Sequence, residues 1–96
     1  MHSVMTTFTK NLTEGEVQGG YVEIPEEYAH LLPPPGTFFA LDCNNMQSIT
    51  AAVSAVVKGR IVGLRVLYQA FGASEGHLVY ITFSQIRKKK VRILMS

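Results

Sequence analysis

The sequence has one cysteine, no long apolar run and no recognisable leader. The single Cys43 excludes an intrachain disulfide and a cluster of thiolate metal ligands, and it suits a reducing cytoplasm. The longest apolar run, Ala51–Val57, is interrupted by Ser54 and is far shorter than the roughly 20 residues that a membrane span needs. Residues Met1–Met5 lack the basic start and apolar block of a secretory signal. We therefore expect a cytoplasmic protein with no membrane association.

Catalytic and metal-binding patterns are also lacking. The three histidines, His2, His30 and His77, are scattered, with no pair at a metal-ligand spacing. Ser54, His77 and Asp42 supply the residue types of a hydrolase triad, but nothing in the sequence places them together. The glycine-containing segments do not form phosphate-binding fingerprints. The sequence therefore predicts no enzymatic activity, no metal and no cofactor.

The composition is that of a folded domain. With 96 residues, the chain has room for one hydrophobic core, so we expect a single domain over residues 1–96. Hydrophobic residues make up 47% of the chain and charged residues 17%, which separates it from disordered proteins.

Charge is unevenly distributed along the chain. Residues 1–57 carry one lysine against six carboxylates, a net charge of −5, whereas residues 58–96 carry eight cations against Glu75, a net charge of +7. Such asymmetry favours an anionic partner such as nucleic acid. The alternative is that the basic run Arg87–Lys90 is a solvated turn that keeps the protein soluble, or that the two halves neutralise each other within one domain.

Residue patterns predict seven strands and two short helices. Pro25 supplies the fixed φ of a helix start, Glu26 and Glu27 lie at the positive end of that helix, and Pro33–Pro35 end it. Gly72 is placed as the cap of a second, amphipathic helix. The predicted strands are Val4–Thr9, Val17–Ile24, Thr37–Cys43, Ile49–Val57, Arg60–Val62, Leu78–Phe83 and Val91–Met95, and the predicted helices are Pro25–Leu32 and Leu64–Phe71.

Two stretches of the chain match in the order of their elements. Gly20–Tyr28 aligns with Gly59–Leu67, and Gly36–Leu41 aligns with Gly76–Ile81. The units span about residues 4–43 and 49–83, and the strand 91–95 stands outside them. Ile49–Val57 fits both a strand and a helix, and the repeat favours the strand. We therefore predict a mainly β fold with two short helices, a small seven-stranded open pseudobarrel built from two β-α-β pseudo-repeats.

Gly20–Leu32 followed by Gly36–Leu41 is similar to the swapped-hairpin, AbrB-like unit. Two such units with an extra strand resemble the DNA-binding pseudobarrel of plant transcription factors and of effector domains in restriction enzymes. The resemblance implies two loop-bearing segments that grip the major groove of duplex DNA. Here they would be Lys10–Gly19 and the turn at Lys58, Gly59 and Arg60. Glu14 and Glu16 in the first segment would repel phosphates, which departs from that expectation.

The predicted function is non-enzymatic binding of double-stranded DNA through basic loops, which requires Lys58, Arg60, Arg65 and Lys88–Lys90 to share one face. The alternatives are a protein-interaction or assembly module, with a homodimer through an unpaired strand or a contact at Pro33–Pro35, and a barrel that holds a small ligand at its mouth. The candidate DNA-contacting residues are Lys10, Asn11, Lys58, Arg60, Arg65, Arg87, Lys88, Lys89, Lys90 and Arg92.

Overall fold

A computed structural model describes residues 5–43, 46–84 and 90–96. Over these ranges the chain forms seven strands and three short helices. The strands are β1 Met5–Asn11, β2 Tyr21–Glu23, β3 Phe38–Cys43, β4 Met46–Val53, β5 Arg60–Val62, β6 Leu78–Ser84 and β7 Lys90–Met95. The helices are α1 Glu14–Gly19, α2 Glu26–Ala29 and α3 Arg65–Ala70.

The seven strands form one curled, open sheet in the order β1-β6-β7-β3-β4-β5-β2. All neighbours are antiparallel except β3 and β7, which run parallel with Asp42 beside Arg92. The sheet is a half-barrel with β1 and β2 as its two edges, which confirms the predicted fold class, a small mainly β pseudobarrel. None of the helices within the described ranges is long and apolar enough to cross a membrane.

The two predicted units exchange strands. The last strand of the first unit, β3, pairs with the lead strand of the second, β4, and β6 pairs in the same way with β1. Between them β2 and β5 pair with each other, with Val22 opposite Ile61. The two units are therefore related by a pseudo-twofold axis that passes through the β2–β5 pair. Strand β7 stands outside the repeat and joins its halves by lying between β6 and β3.

The core lies inside the curl of the sheet. Along β6 and β7 the buried and exposed residues alternate, so that Val79, Ile81 and Phe83 point inward with Val91 and Ile93. The helices and loops close this space with a second set of apolar side chains, among them Leu12, Leu31, Leu32, Leu64 and Leu67. This packing leaves the outer face of the sheet to solvent.

Helix α1 differs from the prediction, which placed a loop-bearing segment at Lys10–Gly19 and a strand over Val17–Ile24. The Thr13 side chain accepts a hydrogen bond from the backbone N–H of Glu16, and the Glu16 carboxylate accepts one from the backbone N–H of Thr13, which forms a capping box. Gly20 ends the helix in the left-handed conformation, with φ of 70°. Only Tyr21–Glu23 of the predicted strand is a strand, because the local cap outweighs the strand preference of Val17.

Two other elements are shorter than predicted. Helix α2 covers four residues of Pro25–Leu32. The strand interpretation of Ile49–Val57 is confirmed as far as Val53, where β4 ends. Beyond it, the Ser54 hydroxyl accepts hydrogen bonds from the backbone N–H groups of Val56 and Val57, which turns the chain.

Replacing Gly20 with alanine is expected to destabilise the protein more than the same change at Gly72. Both glycines have positive φ, which costs an L-residue about 1–2 kcal/mol. A Cβ on Gly20 would also lie 3.0 Å from the backbone nitrogen of Arg65, whereas nothing lies within 4 Å of one on Gly72. Thermal unfolding of the two variants measures the difference, and equal melting temperatures would contradict the close approach at Gly20.

Candidate nucleic-acid interface

Two segments flank the β2–β5 pair, and we call Leu12–Gly20 the first arm and Ser54–Gly59 the second arm. The first arm leaves β1 at Leu12, whose carbonyl accepts a hydrogen bond from the Gly76 N–H at 2.7 Å. The second leaves β4 at Val53, whose carbonyl accepts one from the Gly36 N–H, also at 2.7 Å. Each arm ends at a left-handed glycine, with φ of 70° at Gly20 and 74° at Gly59. The arms therefore occupy equivalent positions about the pseudo-twofold axis.

Lys10 is held inside the protein's own hydrogen-bond network. Its Nζ lies 2.6 Å from Oε2 of Glu16 and 3.1 Å from the carbonyl oxygen of Glu23. The Glu16 side chain is fully buried and also accepts hydrogen bonds from the backbone N–H groups of Glu23 at 2.7 Å and Thr13 at 2.9 Å. The positive charge of Lys10 is therefore matched by Glu16, and Glu16 is a structural carboxylate, not one presented to solvent.

The Glu16 carboxyl has a lowered pKa. Burial by itself raises the pKa, because it disfavours the charged form. The hydrogen bonds from Lys10, Glu23 and Thr13, together with the charge of Lys10, outweigh burial and hold the pKa below its ordinary value. Glu16 is thus ionised wherever the protein is folded near neutral pH.

These side chains also cover the β2 edge of the sheet. Ile24 donates its N–H to Gly59, and Val22 lies opposite Ile61, so the backbone groups of Tyr21 and Glu23 point away from β5. The N–H of Glu23 is bonded to Glu16 and its carbonyl to Lys10. The Tyr21 carbonyl accepts a hydrogen bond of 2.7 Å from the Tyr68 hydroxyl. Burial, and then the negative charge of Glu16, raise the pKa of Tyr68, which stays a donor.

Arg60 is fixed on the outer face of the β2–β5 pair. Its guanidinium carbon lies 3.8 Å from the centre of the Tyr21 ring, and its Nη2 donates to Oε2 of Glu23 at 3.0 Å. The side chain remains 25% exposed, and its Nε is buried without a hydrogen-bond partner within the described residues. The stacking and the ion pair together restrict the orientation of the guanidinium.

The remaining candidates near the arms are more open. Lys58 is exposed in the second arm, beside a groove of about 500 Å³ that α2 and Pro33–Pro35 also line. Arg65 is exposed at the start of α3, and its Nη2 donates to the Gln18 carbonyl at 3.2 Å. Asn11 donates its side-chain amide to the carbonyl of Gly76 at 2.9 Å.

The basic residues of β7 lie elsewhere. Lys90 and Arg92 are exposed on the outer face of the sheet. Lys90 pairs with Ser84 of β6, and Ser84 pairs with Met5 of β1. Lys90 is therefore level with the Met5 end of β1, whereas the first arm follows the Asn11 end. At the strand rise per residue, the length of β1 corresponds to about 20 Å. Arg87, Lys88 and Lys89 are outside the described residues, so the expected single basic face is not established for them.

The structure does not bring together the residue types of a triad. Ser54 lies in the second arm, His77 bonds the carbonyl of Ser96 at 2.7 Å, and Asp42 lies beside Arg92 on the outer face. Burial raises the pKa of the half-buried Cys43 thiol, and the charge of Asp42 adds to this. In the part of the chain that the structure describes, no group of three or more histidine, cysteine or acidic side chains could hold a metal ion.

Sequence reasoning missed the residues that fix the charged side chains in place. Glu16 was expected to repel phosphates and Glu23 to lie in a strand, and no binding role was predicted for Tyr21. The Thr13-Glu14-Gly15-Glu16 pattern is the capping-box signature, so it could have placed Glu16 at a helix start. The partner of Arg60 could not have been found, because it depends on how β2 pairs with β5. The partner of Lys10 depends on how α1 packs beside the end of β1.

Comparison with known proteins supports the fold. The chain is similar to the solved structure of a hypothetical Arabidopsis thaliana protein, with a TM-score of 0.68 over 97% of this chain and 91% of that chain. Their sequences are 17% identical, so the likeness concerns the fold alone. The half-barrel fits the pseudobarrel fold. No model of a known protein family matches the sequence, and no curated protein matches it.

Proposed function

We propose that this protein binds double-stranded DNA, with its two arms on either side of the contact and Arg60 at the centre. The observation that supports this most is the placement of Arg60 on the outer face of the β2–β5 pair, between two arms related by the pseudo-twofold axis. The pseudobarrel proteins that the sequence resembles grip DNA with two such loop-bearing segments.

Arg60 has the chemistry of a base-reading residue. An arginine fork reads guanine with two parallel hydrogen bonds, and the contact is stronger when the fork is already oriented. Stacking on Tyr21 and the bond to Glu23 orient it here, while one bond occupies only part of its donor capacity. Glu23 is 53% exposed and supports Arg60 from the side.

Lys58 and Arg65 supply phosphate contacts in this proposal, because both are exposed and neither forms an ion pair within the described residues. Lys10 and Asn11 act by holding the first arm, through Glu16 and Gly76 respectively. Exposed Glu14 disfavours close approach of a phosphate to the start of α1. Lys90, Arg92 and the run Arg87–Lys89 would add phosphate contacts only if the duplex extends beyond the arms.

Fluorescence anisotropy with a random-sequence duplex tests the proposal. The two phosphate-neutralising cations, Lys58 and Arg65, predict that affinity falls about twelvefold between roughly 50 and 200 mM salt. Replacing Lys58 with glutamate is expected to weaken binding about tenfold at low salt. It should also reduce the slope of log affinity against log salt concentration by about one, the loss of one phosphate contact.

Lys90→Glu is the matched control, since it makes the same charge change on an exposed residue away from the first arm. Retained binding in Lys90→Glu with weakened binding in Lys58→Glu supports an interface at the arms. Equal losses in both variants would indicate a general charge effect. Absence of binding by the unaltered protein at low salt would overturn the proposed function.

A further inference from the structure

The two edges of the half-barrel differ in how their backbone groups are satisfied. On β2, the outward-facing N–H and carbonyl of Glu23 and the carbonyl of Tyr21 are bonded to the side chains of Glu16, Lys10 and Tyr68. Such coverage prevents another strand from pairing with that edge. The β2 edge is therefore closed to a partner.

The β1 edge has no such coverage. The N–H of Leu12 bonds His77, and the register with β6 then points the backbone groups of Met5, Thr7, Thr9 and Asn11 away from the sheet. None of these groups has a hydrogen-bond partner within the described residues. All four of these residues are exposed.

β1 also lacks the features that usually block strand addition. It has seven residues with no proline and no break in its register with β6. Its one charged residue, Lys10, is held by Glu16 and Glu23. The outward-facing side chains of Met5, Thr7 and Thr9 are neutral, so two copies of this edge would not repel each other.

We propose that two copies of the chain associate through antiparallel pairing of their β1 strands, with Thr7 of each copy opposite Thr7 of the other. In this register Met5 lies opposite Thr9, and residues 5, 7 and 9 of the two copies exchange about six backbone hydrogen bonds. With Thr7 opposite Thr7, Asn11 would face position 3 of the other copy, which lies outside the described residues, so the proposed pairing covers residues 5–9. A second copy suits this edge for two reasons. In the antiparallel arrangement the outward-facing N–H and carbonyl groups of one β1 face the same groups of the other, and the side chains beside them are uncharged. This association does not depend on DNA binding.

Sedimentation velocity of the 96-residue protein tests the association, with Thr7→Lys as the disrupting variant. A short strand interface predicts a weak dimer, so the dimer fraction should rise over about 10–500 µM. Two lysines directly opposite each other across the pairing would repel, and Thr7→Lys should be monomeric over the same range. Thr50→Lys is the matched control, because Thr50 is also an exposed threonine of the outer face but lies in the interior strand β4. It should dimerise like the unaltered protein.

Cysteine cross-linking gives an independent measurement of the register. In a Cys43→Ser background, Thr7→Cys should form a disulfide-linked dimer on mild oxidation, because residues opposite each other in such a pair have Cα atoms about 5.5 Å apart, within disulfide range. Thr50→Cys in the same background should remain unlinked. A protein that is monomeric throughout, a dimeric Thr7→Lys variant, a monomeric Thr50→Lys variant, or equal cross-linking at both positions would each overturn the proposal.

Discussion

Replacing Glu16 with glutamine is expected to lower the free energy of unfolding by about 2–4 kcal/mol. The glutamine NH2 group would replace either Oε2, which accepts from the Lys10 ammonium and the Glu23 N–H, or Oε1, which accepts from the Thr13 N–H. In either orientation at least one donor would lose its acceptor at a fully buried site. The loss is large because the carboxylate links α1, β1 and β2, which no strand pairing joins.

Thermal or urea unfolding measures this loss. For a domain of this size, about 2 kcal/mol lowers the melting temperature by roughly 8–16 °C. Glu14→Gln is the matched control, since Glu14 is on the same helical turn but exposed, and its effect is expected to stay within about 0.5 kcal/mol. A Glu16→Gln variant as stable as Glu14→Gln would contradict the role of the buried carboxylate.

The pH dependence of stability provides a second readout of the same carboxylate. The pKa of Glu16 is lower in the folded protein than in the unfolded chain, so its ionised form stabilises the fold above the unfolded pKa, about 4.3. That contribution is lost as the pH falls through the folded pKa. Below about pH 4.3, the unaltered protein should therefore lose more stability than Glu16→Gln does.

Much of the fold could be predicted because the signals are local. The β-branched and aromatic residues of Leu78–Phe83 predict β6, and the two glycine-bounded units predict a repeat. The exchange of strands between the units could not be predicted from the residues themselves, since β3–β4 and β1–β6 pairing is set by the tertiary packing of both units. Helix α1 has a local signal in Thr13 and Glu16, but the strand preference of Val17 competes with it.

The candidate site was harder to predict because a charge in the sequence does not reveal whether a partner neutralises it. Lys10 and Arg60 read as two free cations of a basic interface. In the fold, Lys10 is matched by a buried carboxylate, while Arg60 is oriented by a residue 37 positions away in the chain. The Lys10–Glu16 pair removes the charge of Lys10 from the candidate interface, whereas the bond to Glu23 orients Arg60 for that interface. The contact of Arg60 depends on the register of β2 against β5, which brings Glu23 opposite Arg60. The Lys10–Glu16 pair depends on how α1 packs beside the end of β1.

Two phenylalanines on opposite faces of the sheet should differ widely in how much stability is lost when each is replaced by alanine. Phe83 points inward from β6 and is 1% exposed, whereas Phe38 points outward from β3 and is 76% exposed. The Phe83 ring centre lies 6.0 Å from that of Phe8, and Phe8 stacks on Tyr28 with ring centres 4.5 Å apart. This aromatic column connects β6 through β1 to α2, on the side of the barrel where the sheet is open.

Phe83→Ala is therefore expected to cost about 3–5 kcal/mol, since it removes a buried ring and leaves a cavity under Phe8. Phe38→Ala should change stability by no more than about 0.5 kcal/mol, because its ring is already in solvent. Urea unfolding of both variants at the same protein concentration measures the contrast. A loss from Phe38→Ala as large as that from Phe83→Ala would show that the outer face near the start of β3 is covered in solution, which is incompatible with an exposed outer face. A small loss from Phe83→Ala would show that the column does not hold α2 against the open side of the sheet.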